Sequence, residues 1–176
     1  NDGTDLGGNL TVVAAEDILL TGTSSAFSVG GDISLSANDR LRIESGFRLS
    51  SSGGDIHLTG SGATNAGVGV LIDPNVDAVS HDQATLIKTS GSGEIRITGT
   101  GGSQSSTSNL GIKIGDEYQG NEYSILIETA AGDIVVQGTA GVWDADQATG
   151  VVQVAGTAVR SATLRTTAGG DISING

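Results

Sequence analysis

A short phrase built on glycine, an acid and alternating aliphatics recurs along the whole chain. It reads Gly54-Asp55-Ile56-His57-Leu58-Thr59-Gly60, then Gly93-Glu94-Ile95-Arg96-Ile97-Thr98-Gly99, then Gly132-Asp133-Ile134-Val135-Val136-Gln137-Gly138. It closes the sequence as Gly170-Asp171-Ile172-Ser173-Ile174-Asn175-Gly176, and an earlier copy begins at Gly31-Asp32-Ile33. A degenerate first copy is Gly8-Asn9-Leu10-Thr11-Val12. The acid positions, 9, 32, 55, 94, 133 and 171, are separated by 23, 23, 39, 39 and 38 residues. Recurrence at a near-fixed interval means stacked units, each of which needs its neighbours to bury its apolar face.

Each unit reads as three short strands. They are Leu10–Ala14, Asp17–Thr21 and Ala26–Val29, then Asp32–Ser36, Arg40–Glu44 and Phe47–Ser50. Longer units follow with Asp55–Thr59, Gly67–Ile72 and Ala84–Thr89, then Glu94–Thr98, Asn109–Ile114 and Tyr123–Thr129. The fifth has Asp133–Gln137, Gly150–Val154 and Ala162–Thr166, and a sixth starts at Asp171–Ile174. No window carries a helical 3.6-residue period. Disorder is excluded because 36% of the chain is apolar and those residues alternate in short runs. A β-sandwich would also use short alternating strands, but it would not repeat one Gly-acid-Ile phrase at a set interval.

The expected fold is therefore all-β: a right-handed parallel β-helix (β-solenoid) with three short strands per coil and about five coils plus a partial sixth. Residues 1–176 form one such segment, with short coils over 9–54, long coils over 55–170 and the start of a further coil at 171–176. Coils stacked at about 4.8 Å give a rod roughly 24 Å long. Period-2 alternation puts Ile56, Leu58, Ile95, Ile97, Ile134 and Val136 inside, with His57, Arg96 and Val135 outside. Val68, Val70, Ile72, Leu110, Ile112, Ile114, Val152 and Val154 are expected to fill the second face, and Ile87, Ile125, Ile127 and Leu164 the third.

Charge and composition then bound the chemistry. A formal charge of −12, from 20 acids against 8 Lys and Arg, is the wrong sign for nucleic acid or an anionic membrane. With no cysteine there is neither a disulfide nor a zinc-thiolate site. No apolar run approaches membrane-spanning length. A start at Asn1 rather than Met reads as processing or excision, with any targeting signal upstream.

The acid column Asp32, Asp55, Glu94, Asp133 and Asp171 could be a row of cation sites. The alternative favoured here is that each acid receives turn N–H groups after its corner glycine, as in Asx-turns, because Asn9 fills the same slot without charge. Lys88, Glu128 and Arg165 fall at equivalent outward positions and read as an exposed salt-bridge ladder. Residues inserted in the long coils lie between strands, where repeat folds carry function. The expected reading of their acids is a solvated loop with no cofactor, and calcium is the alternative. Asp73, Asn75 and Asp77 offer alternate oxygen ligands, and Asp116, Glu117 and Glu122 form a second acidic loop. Trp143, Asp144 and Asp146 could contact a glycan, although packing of its own loop is the favoured role for Trp143.

Enzymatic features are missing. His57 and His81 have no orienting partner in the sequence, and no Gly-x-Ser-x-Gly elbow sits at a strand-to-helix turn. The row Thr11, Ser34, His57, Arg96, Val135 and Ser173 lacks paired carboxylates.

The stretch Gly93-Glu94-Ile95-Arg96-Ile97-Thr98-Gly99-Thr100-Gly101-Gly102, followed by a Ser/Thr/Asn loop and Asn109-Leu110-Gly111-Ile112-Lys113-Ile114, resembles the repeats of giant bacterial surface proteins related to filamentous haemagglutinin-type adhesins. The likeness covers about 170 residues. It implies a secreted, cell-surface rod rather than an enzyme. Its partners would be neighbouring repeats or other copies end to end, and a glycan, host cell or neighbouring cell surface. A self-assembling head-to-tail filament and a polysaccharide-binding or polysaccharide-degrading β-helix are the competing readings.

Overall fold

The computed structural model describes residues 5–6, 8–21, 26–44, 46–62, 67–73, 84–102, 109–115, 125–141, 157–159 and 162–176. Every regular element among them is a β-strand. A two-residue strand β1 (Asp5–Leu6) comes first, which the sequence did not announce. It is followed by β2 (Leu10–Ala14), β3 (Ile18–Leu20) and β4 (Ala26–Val29). Next come β5 (Ile33–Ala37), β6 (Leu41–Glu44) and β7 (Arg48–Ser51), then β8 (Ile56–Gly60), β9 (Val70–Asp73) and β10 (Thr85–Thr89). The chain continues through β11 (Ile95–Thr100), β12 (Ile112–Ile114) and β13 (Ile125–Thr129). It finishes with β14 (Ile134–Thr139), β15 (Thr157–Val159), β16 (Ala162–Thr166) and β17 (Ile172–Asn175).

All pairings are parallel, and they sort the strands into three sheets. Sheet A runs β1-β4-β7-β10-β13-β16, sheet B runs β2-β5-β8-β11-β14-β17, and sheet C runs β3-β6-β9-β12-β15. The chain visits B, C and A in turn and each strand lies on its predecessor in the same sheet, which is the arrangement of a β-solenoid. Parallel strands in one sheet need long connections. Here the connection is the rest of the coil.

The register keeps like residues in columns. Leu10, Ile33, Ile56, Ile95, Ile134 and Ile172 form one row of sheet B, and Val12, Leu35, Leu58, Ile97, Val136 and Ile174 the next inner row. Ile56, Leu58, Ile95, Ile97, Ile134 and Val136 are fully buried, as the alternation requires. Val70, Ile72, Ile112, Ile114, Ile87, Ile125 and Ile127 are buried from the other two sheets, and Leu164 packs against this core from the edge. Branched aliphatics suit these columns because a pleated surface accepts their stiff χ1 geometry.

Two expectations about strand position need correction. The partner of β12 is Thr157–Val159, in the slot expected for Gly150–Val154, whose Val152 and Val154 were expected beside Ile112 and Ile114. Residues 150–154 lie outside the described residues. In sheet C the turn at Gly69 ends before β9 begins, which leaves Val68 half-buried outside the strand.

The glycine before each acid has a steric reason. A Cβ on Gly54, Gly93, Gly132 or Gly170 would come within 2.4, 2.3, 1.9 and 2.3 Å of backbone atoms of the corner glycine one coil earlier. Backbone stacks directly on backbone at this corner, so no side chain fits.

Candidate functional site

The acids sit in the bends just before the sheet B strands, and their side chains link coil to coil. Asp32 N–H donates to Asn9 Oδ1 at 2.9 Å, Asp55 N–H to Asp32 Oδ1 at 3.0 Å and Glu94 N–H to Asp55 Oδ1 at 2.8 Å. Asp171 N–H donates to Asp133 Oδ1 at 2.8 Å. The expected local Asx-turn is thereby corrected. The acceptor is used across coils, by the residue that occupies the same slot 23 to 39 positions later.

A second bond doubles the strap. Leu10, Ile33, Ile56, Ile95 and Ile134 each donate their N–H to the carbonyl of the acid one coil on, at 2.8, 2.8, 2.8, 2.9 and 2.9 Å. These acids hold backbone, which explains why Asn9 can substitute for them. Among the described residues no group of three His, Asp or Glu is placed to hold a metal. Asp55→Asn keeps the acceptor and removes one like charge from the column, so its urea unfolding midpoint should match or slightly exceed the parent's. Asp55→Ala leaves the Glu94 N–H without its acceptor and should cost about 1–2 kcal/mol by the same measurement.

Glu94 departs from the pattern because its side chain is one methylene longer. Its carboxylate takes Arg96 Nε at 2.7 Å and Arg96 Nη2 at 2.9 Å, a forked ion pair on the outer face of sheet B. His57 Nε2 lies 3.7 Å from Glu94 Oε1, so His57 does have a partner, contrary to the sequence reading. The sequence hid it because 37 residues separate the two, and only the stacking of β11 on β8 brings them together. Chemically the trio is committed to itself: the guanidinium holds both carboxylate oxygens and the imidazole lies against one of them.

The Lys88, Glu128 and Arg165 row is observed in register, Lys88 beside Glu128 and Glu128 beside Arg165. Lys88 Nζ is 2.7 Å from Glu128 Oε1, and Arg165 Nε is 2.7 Å from Oε2, with Arg165 Nη2 also bonded to Oε2. One correction applies. Glu128 is not an exposed rung: its side chain is only 6% accessible, against 44% for Lys88 and 53% for Arg165. A carboxylate withdrawn from water and gripped on both oxygens holds more tightly than a surface pair.

The hydrogen bond from Lys88 and then that from Arg165 hold the Glu128 carboxyl below its ordinary value of 4.5, and burial works in the opposite direction. Since the folded form binds its proton less readily than the unfolded chain, the stabilisation is complete above the ordinary value. It is lost as pH falls through the depressed folded value. Glu128→Gln should therefore be less stable than the parent at pH 7 by about 1–2 kcal/mol. That gap should close in urea titrations as pH falls well below 4.5.

A fourth set escaped the sequence reading. Ser51, Thr89, Thr129 and Thr166 share one row of sheet A. Their hydroxyls bond corner-glycine carbonyls: Ser51 to Gly31 at 2.8 Å, Thr89 to Gly54 at 2.7 Å, Thr129 to Gly132, and Thr166 to Gly170 at 3.2 Å. The available signal was a Ser or Thr placed three or four residues before each corner glycine. These hydroxyls satisfy carbonyls at a bend that has no ladder partner.

Asp73 ends β9, and the other loop candidates, Asn75, Asp77, Asp116, Glu117, Glu122, Trp143, Asp144 and Asp146, lie outside the described residues, as does His81. Among the described residues no helix is long and apolar enough to cross a membrane. What the described polar residues do is hold one coil to the next. No protein family, curated protein or solved structure matches the chain.

Proposed function

We propose that this chain is a non-catalytic shaft segment of a secreted bacterial surface protein: a right-handed β-solenoid of five coils and a partial sixth, of the kind found in filamentous haemagglutinin-type adhesins. Its role is to carry inserted loops outward for contact with a cell, matrix or glycan. The observation that carries this reading is the paired strap at the sheet B corner. From Asn9 to Asp171 the aliphatic N–H to acid carbonyl bond recurs at all five steps and the N–H to side-chain bond at four of them, the Glu94 carboxylate being taken by Arg96 instead. Such a design resists sliding and splaying along one axis, and it spends the repeated polar groups on cohesion rather than on a substrate. Calcium in the acidic loops and a glycan at Trp143, Asp144 and Asp146 belong to the same proposal.

Two measurements test it together. Beads coated with the chain should adhere to bacterial or host cell layers more than beads coated with an unrelated acidic protein. Incubation with acidic polysaccharides should release no new reducing ends and no unsaturated products. Equal bead retention removes the adhesive role, and glycan cleavage by the purified chain replaces it with the enzyme reading.

A further inference from the structure

One step in the acid column is built differently from the rest. Asp32, Asp55, Glu94 and Asp171 each donate their N–H to the side chain one coil earlier, at 2.8 to 3.0 Å. The Asp133 N–H has no such acceptor among the described residues. The side chain placed to supply it is Glu94, the one member of the column that is neither Asp nor Asn. Its carboxylate is turned along the outer face of sheet B, where Arg96 takes one oxygen at 2.7 Å and the other at 2.9 Å. His57 Nε2 stands 3.7 Å from the oxygen that accepts Arg96 Nε.

Both flanks of this corner are well held. On the sheet B side β11 and β14 pair over six residues, Ile95 to Ile134 through Thr100 to Thr139. On the sheet A side Lys88 Nζ ties β10 to Glu128 of β13 at 2.7 Å. The Ala131 N–H also reaches the Gly91 carbonyl at 2.7 Å. What the missing strap frees is therefore confined to the Asp133 peptide and to the bond its carbonyl accepts from the Ile95 N–H at 2.9 Å.

We propose that Glu94 is a two-position carboxylate, and that Arg96 and His57, by holding it on the outer face, leave this corner unstrapped. In the clasped position the carboxylate belongs to the surface of sheet B. In the other it accepts the Asp133 N–H, as Asn9, Asp32, Asp55 and Asp133 accept the N–H one coil on. The two positions exclude each other. The fork uses both oxygens on the outer face, whereas the strap needs one of them turned to the next corner.

The energies of the two positions are close. The clasp is partly open to water, with side chains 41% accessible at Arg96 and 26% at Glu94, and such a pair contributes little net stability. One strap contributes a similar small amount. Side-chain length tips the choice. The extra methylene of Glu94 lets its carboxylate reach back along its own strand to a residue two positions on. An Asp in the same slot is too short for that fork and takes the strap, as Asp32, Asp55 and Asp133 do.

The corner between β13 and β14 is thus a small hinge that is set from another face. Whatever draws Arg96 away from Glu94 on the outside of sheet B closes it. Its opening reaches the core row through Ile95, the fully buried residue whose N–H the Asp133 carbonyl holds. Local openings of this kind differ along a structure, and amide exchange reads them one by one. The inference does not rest on the adhesive role.

The test is hydrogen exchange, read amide by amide by NMR on the purified 176-residue chain. Among Asp32, Asp55, Glu94, Asp133 and Asp171, the Asp133 amide should exchange fastest. Ile95 should be protected at least about fivefold less than Ile56, whose acceptor carbonyl belongs to a strapped residue. Glu94→Asp should remove that deficit by building the strap. Arg96→Gln, which releases the carboxylate, should raise protection at Ile95 and Asp133 by about threefold or more. Breaking an ion pair that served only to hold strands together would lower it. Equal protection of Ile95 and Ile56 in the parent overturns the proposal. So does an Arg96→Gln chain whose protection at both amides is unchanged or falls, because the clasp would then not be what withholds Glu94.

Discussion

Ile95→Asp is expected to abolish cooperative folding. Ile95 is fully buried, held in register between Ile56 on one side and Ile134 on the other. The carboxylate would replace an aliphatic group in the middle of a column, with no cation among the described core residues to meet it. Losing the packed side chain costs about 2–5 kcal/mol, and an unpaired buried charge adds several more. Typical domain stability is only about 5–15 kcal/mol, so the sum removes most or all of it. Far-UV circular dichroism with a thermal scan checks this. The control is Val135→Asp, on the outward face of the same sheet and beside Arg96, which should melt close to the parent. If Ile95→Asp melts like the parent, the inward assignment of that row is wrong.

Gly132→Ala is the second large effect, and it is unusual for so small a change. The added methyl carbon would stand 1.9 Å from the Gly93 carbonyl oxygen and 2.5 Å from its carbon. Both atoms are backbone, so no side chain can rotate away. Relief requires the two coils to separate at this corner, which strains the adjacent bond from Ile95 N–H to the Asp133 carbonyl at 2.9 Å. Overpacking of this sort costs about 3 kcal/mol, at the upper end of the usual range. For a chain of this size that lowers Tm by roughly 6–12 °C. Gly8→Ala, where the same methyl meets open space, should leave Tm unchanged within about 2 °C. Equal melting of the two variants would mean that corner stacking is not what selects glycine.

The two variants also mark the boundary between what a repeat announces and what it conceals. That Ile95 faces inward follows from a period of two, since an aliphatic row can be buried only on one face of a strand. That Gly132 tolerates no methyl and Gly8 tolerates one is invisible in the phrase, which opens with glycine, an Asx residue and an aliphatic at both. Accessible space depends on which coil lies beneath. The buried state of Glu128 belongs to the same class: alternation placed it outward, and only the packing around the Lys88 and Arg165 row shows it withdrawn from water. His57 and Glu94 are likewise brought together by strand stacking across 37 residues, a separation at which hydropathy carries no information. The loops proposed for calcium and glycan were marked by composition alone, and they lie outside the described residues.

Local chemistry in the sequence therefore determined the strands, their inward faces, the corner glycines and the coil interval, because each is a property of a few consecutive residues. Tertiary structure alone decided three things. It set Thr157–Val159 beside β12, turned the acid side chains from their own turns to the next coil, and brought His57 to Glu94 across 37 residues. Each depends on contacts between residues 23 or more positions apart, and those contacts exist only once the coils are stacked.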